Sequence, residues 1–388
     1  MTQTDPPPRL LSLDAYRGAV MLLLAANGFG LAAMAKGSDA PLLQWISFQT
    51  SHPEWISQFH GLGFALWDMI QPAFMFIVGV AVPYSFAKRS ALGESRPKIL
   101  LHAGLRSILL ILIGVFLSSV RATDTTWIFP NVLCQIGLGY PILVLLAGRS
   151  YRTQAITAVV ILVGTWLFYV LYPVQIPQSE DSKGILSGFF AHWSMNANAG
   201  SAFDEWFLHL FPHSESSTPN SGGYVTLNFV PASVTMLFGL MCGQLLRDER
   251  YGPSQKLRLL LFFSAFSLLL GVLLGLTICP VVKRLWTPSW VFFSGAYVVL
   301  LLSIFYWMID VKKMRWWTYP FVVAGMNPLA LYLMGMLSKG WVVSQLTIHL
   351  PKFVFAGMTK PVVEATLAAL IFWLVVWWMH RRRVYLRL

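Results

Sequence analysis

The sequence predicts an all-α polytopic membrane protein, about ten transmembrane helices in one bundle with both termini cytoplasmic. Three observations predict it. Of the 388 residues, 56% are hydrophobic and only 11% charged, where a soluble globular chain has about 25% charged residues; the mean hydropathy is +0.62. Apolar stretches of about 20 residues, the length a bilayer demands, recur along the whole chain. The net charge of +12 is ordered by position, alternating between successive connections. That pattern is a topological signal and argues against nucleic acid as the basic chain's partner.

Taken in order, the apolar stretches are residues 13–35, 64–86, 99–120, 131–147, 153–172, 226–246, 257–279, 288–309, 319–337 and 361–379. The first opens on S-L-D-A-Y-R-G and carries Asn27 in its outer half. The second opens on WDMIQP. The fourth is the shortest and weakest, interrupted by Gln135, Gly137 and Gly139. The sixth begins NFVPASV, and the ninth contains GMNPLALYL, where Gly-Met-Asn-Pro inside a span predicts a kinked or broken helix. Ten crossings put most of the 28 Lys and Arg residues on the side of the termini, among them Lys88, Arg89, Arg96, Lys98, Arg106 and the run Arg381, Arg382, Arg383. By the positive-inside rule that side is cytoplasmic. The whole chain, 1–388, reads as one domain. Residues 173–225 are too polar to enter lipid and long for a connector, so a folded extracytoplasmic lid is expected there, with Glu180, Asp181, Asp204, His192, His209 and His213 in it. Residues 338–360 are apolar enough to lie in the interface. Residues 1–10 lack an apolar core and a small-residue cleavage site, so no cleaved signal is expected. The three cysteines, Cys134, Cys242 and Cys279, have no metal-ligand spacing and read as buried apolar thiols. No metal site is expected.

The chemistry concentrates between the first two spans. His52 opens H-x-x-W with Trp55, and His60 follows. A histidine takes a proton near neutral pH and is the usual general base, while Trp55 offers a face for a sugar; the alternative is a surface histidine beside an interfacial Trp anchor. Asp68, at the outer end of the second span, suits a carboxylate that orients a loop histidine, or else an acid on a helix dipole. Asn27 suits oxyanion stabilisation or substrate binding, or an amide bridging helices. Trp67, Gln71, Asn228 and Asn327 join Trp55 as substrate-binding candidates. Asp14 and Arg17, three residues apart, share a helix face, as a local ion pair or as a site for the phosphates of a cytoplasmic donor.

The order R-L-x-S-L-D-x-x-R-G at residues 9–18, an Asn late in the first span, H-x-x-W, then W-D-x-I-Q-P-x-F-M-F-x-V-G at 67–79 resembles the heparan-alpha-glucosaminide N-acetyltransferase family and its bacterial relatives of unknown function. VLCQIGLGY, NFVPASVTMLFGL and GMNPLALYL extend the resemblance over most of the chain. It implies a multi-pass acyltransferase of the bacterial cytoplasmic membrane that takes the acetyl group from acetyl-CoA on the cytoplasmic side to an amino sugar or glycan outside. It carries the family's histidine onto His52, its asparagine onto Asn27 and its acid onto Asp68. The interval from Trp55 to Asp68 is longer than the family's, which leaves His60 as the alternative base; His52 is preferred because it keeps the tryptophan three residues on. Membrane lipid and a homodimeric partner complete the expected associations. A transporter or flippase for a sugar or lipid-linked intermediate is the rival reading, since ten spans and a kinked helix with polar groups at mid-depth suit it too.

Overall fold

The computed structural model describes residues 10–36, 38–52, 55, 65–175, 184–212 and 222–386. His60, Glu180, Asp181 and His213 fall outside the described residues. In chain order the helices are α1 (Leu11–Ala25), α2 (Leu31–Ala35), α3 (Pro41–Gln49), α4 (Ile70–Ala91), α5 (Arg96–Ser119), α6 (Val132–Leu146), α7 (Tyr151–Val170), α8 (Ala199–Leu208), α9 (Phe229–Arg247), α10 (Pro253–Thr277), α11 (Pro288–Phe305), α12 (Tyr319–Met326), α13 (Pro328–Leu337), α14 (Lys339–His349) and α15 (Lys360–Arg381). Among the described residues all regular structure is helical. Among the described residues seven helices are long and apolar enough to cross a membrane, and up to nine if each of two bent pairs is one span. The remaining expected span, the fourth, is α6, which has 15 residues. Its rise of about 22 Å falls short of a hydrocarbon core of about 30 Å.

Local chemistry sets the helix ends. Asn131 caps α6 by accepting the Cys134 N–H at 3.0 Å; Ser150 caps α7 by accepting that of Thr153 at 3.2 Å. Proline stands in the first turn of α3, α5, α10, α13 and α15, where its missing N–H costs nothing.

The residues group into two compact units. One is built on Gln71–Leu300 with Trp55. Its central helix is α9, with 72% of its apolar stretch buried, against 28% for α7 and α10 and 33% for α5. The α4 and α9 backbones touch through Gly79 and Gly239, where any side chain would overlap the Met236 or Phe76 carbonyl; small residues let membrane helices approach this closely. The loop at 173–225 contributes a 3₁₀ turn, Gly188–Trp193, and α8. Trp193 is fully buried, in a cluster with Trp55, Tyr169, Val225, Cys279 and Leu285, so the described part of the loop is packed structure. The three cysteines are buried free thiols.

The other unit comprises Leu10–Pro53, Leu62–Ile70 and Leu301–Leu388. Here both bent pairs occur. The first expected span is broken after α1, and α2 leaves at 54°. Four consecutive residues are left-handed, Asn27 (φ 51°), Gly28 (61°), Phe29 (54°) and Gly30 (70°). Two glycines and an asparagine tolerate that conformation, while Phe29 costs about 1–2 kcal/mol. Gly30 is also where α15 comes closest, since a Cβ there would overlap the Pro361 carbonyl. The second break is at Asn327, where α12 and α13 diverge by 81°. Pro328 disfavours helical backbone in the residue before it, and Asn327 sits at φ −126°, ψ 54°. Gly18 meets Phe321 and Gly325, and Gly325 meets Asp14, so α12 runs antiparallel to the first turns of α1.

Candidate functional site

Two polar groupings stand out, one in each unit. The first is the end of α3 against the 3₁₀ turn Leu66–Met69 that leads into α4. Thr50 ends α3 by bonding back to the Ile46 carbonyl at 2.7 Å, and Ser51 to that of Phe48 at 3.3 Å. His52 follows at once. On the facing segment the Leu66 N–H donates to Gln49 Oε1 at 3.0 Å, which pins the turn to the end of α3. Asp68 is 2% exposed, and its Oδ1 lies 2.9 Å from His52 Nδ1, with the imidazole half-exposed. A buried carboxylate is costly without a charge-assisted partner, and a proton on Nδ1 supplies one. With the proton on Nδ1, the lone pair of a neutral imidazole falls on Nε2, on the opposite ring edge.

Trp67 completes this grouping. It is half-buried, edge-on to His52 with ring centroids 6.5 Å apart, and its ring would lie 3.2 Å from a Cβ placed on Gly28. The left-handed turn therefore sits against the tryptophan that flanks the histidine. Asn27, at the start of that turn, is exposed. The Ala26 carbonyl beside it accepts a hydrogen bond from Lys339 Nζ at 3.4 Å. Burial holds the Lys339 ammonium below its ordinary pKa, because removal from water disfavours the charged form.

The second grouping is a chain of buried amides in the other unit. Gln71 Nε2 donates to Gln135 Oε1 at 2.7 Å, Gln135 Nε2 donates to Asn228 Oδ1, and Asn228 Nδ2 donates to the Arg284 carbonyl at 3.2 Å. Gln135 and Asn228 are buried, so each amide serves as the other's hydrogen-bond partner where water is absent.

The sequence-predicted residues thus separate. His52, Asp68, Trp67 and Asn27 come together in one unit; Gln71 and Asn228 come together in the other. Trp55 is 4% exposed and its indole donates to the Trp193 carbonyl at 3.1 Å; beside His52 the ring surface is that of Trp67 instead. Asn327 is buried and its amide is engaged by the C-terminal segment, donating to the Val384 carbonyl and accepting the Leu386 N–H, both at 3.0 Å. Asp14 and Arg17 lie 3.5 Å apart at the start of α1, and Arg17 also donates to the Gly325 carbonyl at 3.4 Å. The spacing argument missed Gln135, visible only as a polar interruption of an apolar stretch, and Lys339, a lone lysine between apolar helices. Neither carries a local motif.

No family model matches the chain. It is 26% identical over 375 residues to human heparan-alpha-glucosaminide N-acetyltransferase, covering 84% of this chain and 52% of that protein. It is 25% identical over 380 residues to the mouse protein of the same name, covering 86% and 54%. The chain therefore spans about half the length of the curated relatives it matches. The distant similarity to these two N-acetyltransferases extends over most of the chain, which has the several apolar helices of a multi-pass membrane protein.

Proposed function

We propose that the protein is a membrane-embedded acyltransferase that moves an acetyl group from cytoplasmic acetyl-CoA to an amino sugar or glycan acceptor on the extracytoplasmic side. The single observation that carries this reading is the His52–Asp68 pair at 2.9 Å beside Trp67, which in turn lies against the left-handed turn that Asn27 opens. The similarity to named N-acetyltransferases over most of the chain supports it. The charge asymmetry supports cytoplasmic termini and, with the resemblance to bacterial members, a multi-pass place in a bacterial cytoplasmic membrane.

In the reaction the acceptor nitrogen attacks the thioester carbonyl carbon. His52 Nε2 takes the proton the nitrogen sheds, the C–S bond breaks, and the proton passes to the departing CoA sulfur. Asp68 holds the imidazole in the tautomer that makes this transfer and stabilises the cation that forms. Asn27, on its left-handed turn, donates to the oxygen that gains charge. Trp67 provides the face on which a sugar ring packs. Arg17, with Asp14, receives the donor's phosphates at the other end of α1. Gln71, Asn228 and Asn327 fix backbone around the bundle and act as positioning residues.

The breaks at Asn27 and Asn327 also suit a transporter, whose sites form at discontinuous helices. Acetyl transfer separates the two readings. Purified protein in nanodiscs is supplied with labelled acetyl-CoA and glucosamine, and labelled N-acetyl product is measured for wild type and His52→Ala. Product from wild type and none above background from the variant is the expected result. A His52→Ala protein with undiminished transfer overturns the assignment, and a folded wild type that neither binds nor uses acetyl-CoA overturns the enzyme.

A further inference from the structure

α5 carries three basic residues at four-residue spacing, Lys98, His102 and Arg106. In a helix that spacing stacks side chains in one column. The column faces outward. Lys98 and His102 are exposed and Arg106 is half-buried, while the flanking Leu101, Leu105, Ile108, Leu109 and Leu112 are 45–65% exposed. With only 33% of its apolar stretch buried, α5 is a peripheral helix of its unit and meets lipid. Arg106 was expected among the loop charges of the basic face; it lies instead about 15 Å along α5 from Arg96.

A guanidinium at that depth in a bilayer demands a counter-charge, and the protein supplies little. Arg106 Nη1 donates to the Tyr140 hydroxyl on α6 at 3.2 Å, and the guanidinium sits 4.7 Å from the centre of that ring. Its Nε is buried and has no partner among the described residues. Among the described residues no carboxylate forms an ion pair with Lys98, His102 or Arg106. The acid at the foot of the column, Glu94, is engaged by Arg89 at 2.9 Å; that bond first, and more weakly the positive charge of Lys98 and His102, hold its carboxyl below the usual range, and it pairs directly with neither of the two.

We propose that this column, with Tyr140, binds the headgroup of an anionic phospholipid from the leaflet on the basic side. The phosphate lies against Lys98, His102 and Arg106, and the acyl chains run along the exposed leucines. Charge complementarity selects an anion, and the surrounding apolar surface selects one that carries acyl chains. A zwitterionic lipid brings its own cation next to its phosphate and gains less. Interfacial attraction of an anionic headgroup to each Lys or Arg corresponds to about a fivefold change in affinity.

The test is native mass spectrometry of the full chain in mild detergent, titrated separately with phosphatidylglycerol, phosphatidylcholine and inorganic phosphate. Wild type retains phosphatidylglycerol in preference to phosphatidylcholine. Lys98→Gln and Arg106→Gln each weaken that retention about fivefold, and His102→Gln weakens it in the same direction. Lys98 and His102 are exposed, so their variants keep the fold and the proposal stays testable if Arg106→Gln does not. Equal retention of both lipids, unchanged retention in the Lys98 and His102 variants, or competition by inorganic phosphate alone each overturns it. None of these outcomes bears on the His52–Asp68 pair, which is tested by acetyl transfer.

Discussion

Asp68→Asn is the sharpest test of the dyad. The substitution keeps the shape of a side chain that is 2% exposed and removes only its charge and its preference for accepting. An amide can present N–H to His52 Nδ1, which drives the ring to the tautomer with its proton on Nε2, the nitrogen that must take one. General-base assistance is worth about 10²–10⁴ in rate, so kcat should fall at least about 100-fold. The donor's KM should move less than about threefold, because no donor contact is altered. Since the imidazole is half-exposed, water meets its hydrogen bonds in the variant, and stability should change by about 1 kcal/mol or less. The assay is initial-rate acetyl transfer in nanodiscs, with a thermal midpoint taken on the same preparation. A folded Asp68→Asn protein that retains more than half the wild-type kcat would refute the reasoning, whatever His52 does.

Other residues make separate predictions. Burial of Asp204 on α8 pushes its carboxyl up to about 6, against the opposing pull of the Thr226 N–H at 2.8 Å. The folded state holds that proton more tightly than the unfolded chain, so its stabilising contribution is full below pH about 4 and is lost as pH rises through about 6. Across that window Asp204→Asn should gain thermal stability relative to wild type, and a pH-independent difference would count against it. Gly30→Ala should destabilise by about 2 kcal/mol or more, from its left-handed backbone and the carbonyl of Pro361, read as a lower thermal midpoint; an unchanged midpoint would mean the α1–α2 break is absent. Gln135→Leu removes the hydrogen-bond partner of the buried Asn228 and the half-buried Gln71 and should cost about 1–2 kcal/mol, whereas a neutral result would mean the amide chain is not formed. Lys339→Met should lower kcat while Lys339→Arg restores most of it; equal loss in both would show that the charge on the Ala26 carbonyl is not what matters.

The all-helical class and the existence of most spans were legible because apolar length is a one-dimensional property. The His52–Asp68 pairing was legible as chemistry, a base and an acid flanking one loop, although nothing in the spacing fixed the 2.9 Å contact. The breaks divide differently. Asn327 precedes a proline inside an apolar stretch, and that local rule predicts the elbow. The break at Asn27 has no proline; it needs two glycines to act together with an asparagine and with Phe29, which alone would resist. α6 was counted as a span because hydropathy responds to composition and cannot tell a 15-residue buried helix from one that crosses. Trp55 was read as a sugar platform on its neighbour His52, but adjacency in sequence does not set side-chain direction, and its burial with Trp193 comes from residues more than a hundred positions away.

The strained turn and the dyad share a physical logic. Left-handed backbone at Phe29 is unfavourable by itself and persists only where surrounding structure over-determines it. Here it is held from three sides, by Lys339 on the Ala26 carbonyl just past α1, by α15 against Gly30 and by Trp67 against Gly28. Those restraints leave Asn27 exposed at the tip of an otherwise packed segment, with its side-chain amide carried on a restrained turn. A continuous helix through residues 25–31 would project the same asparagine from the side of the helix, where an amide in a membrane span is ordinarily satisfied by neighbouring helices. On the function proposed, the break is what makes Asn27 available to a ligand instead of bridging helices. On the same reading, restraints distant in sequence, Lys339 and Pro361, serve the turn that lies against Trp67, the neighbour of His52.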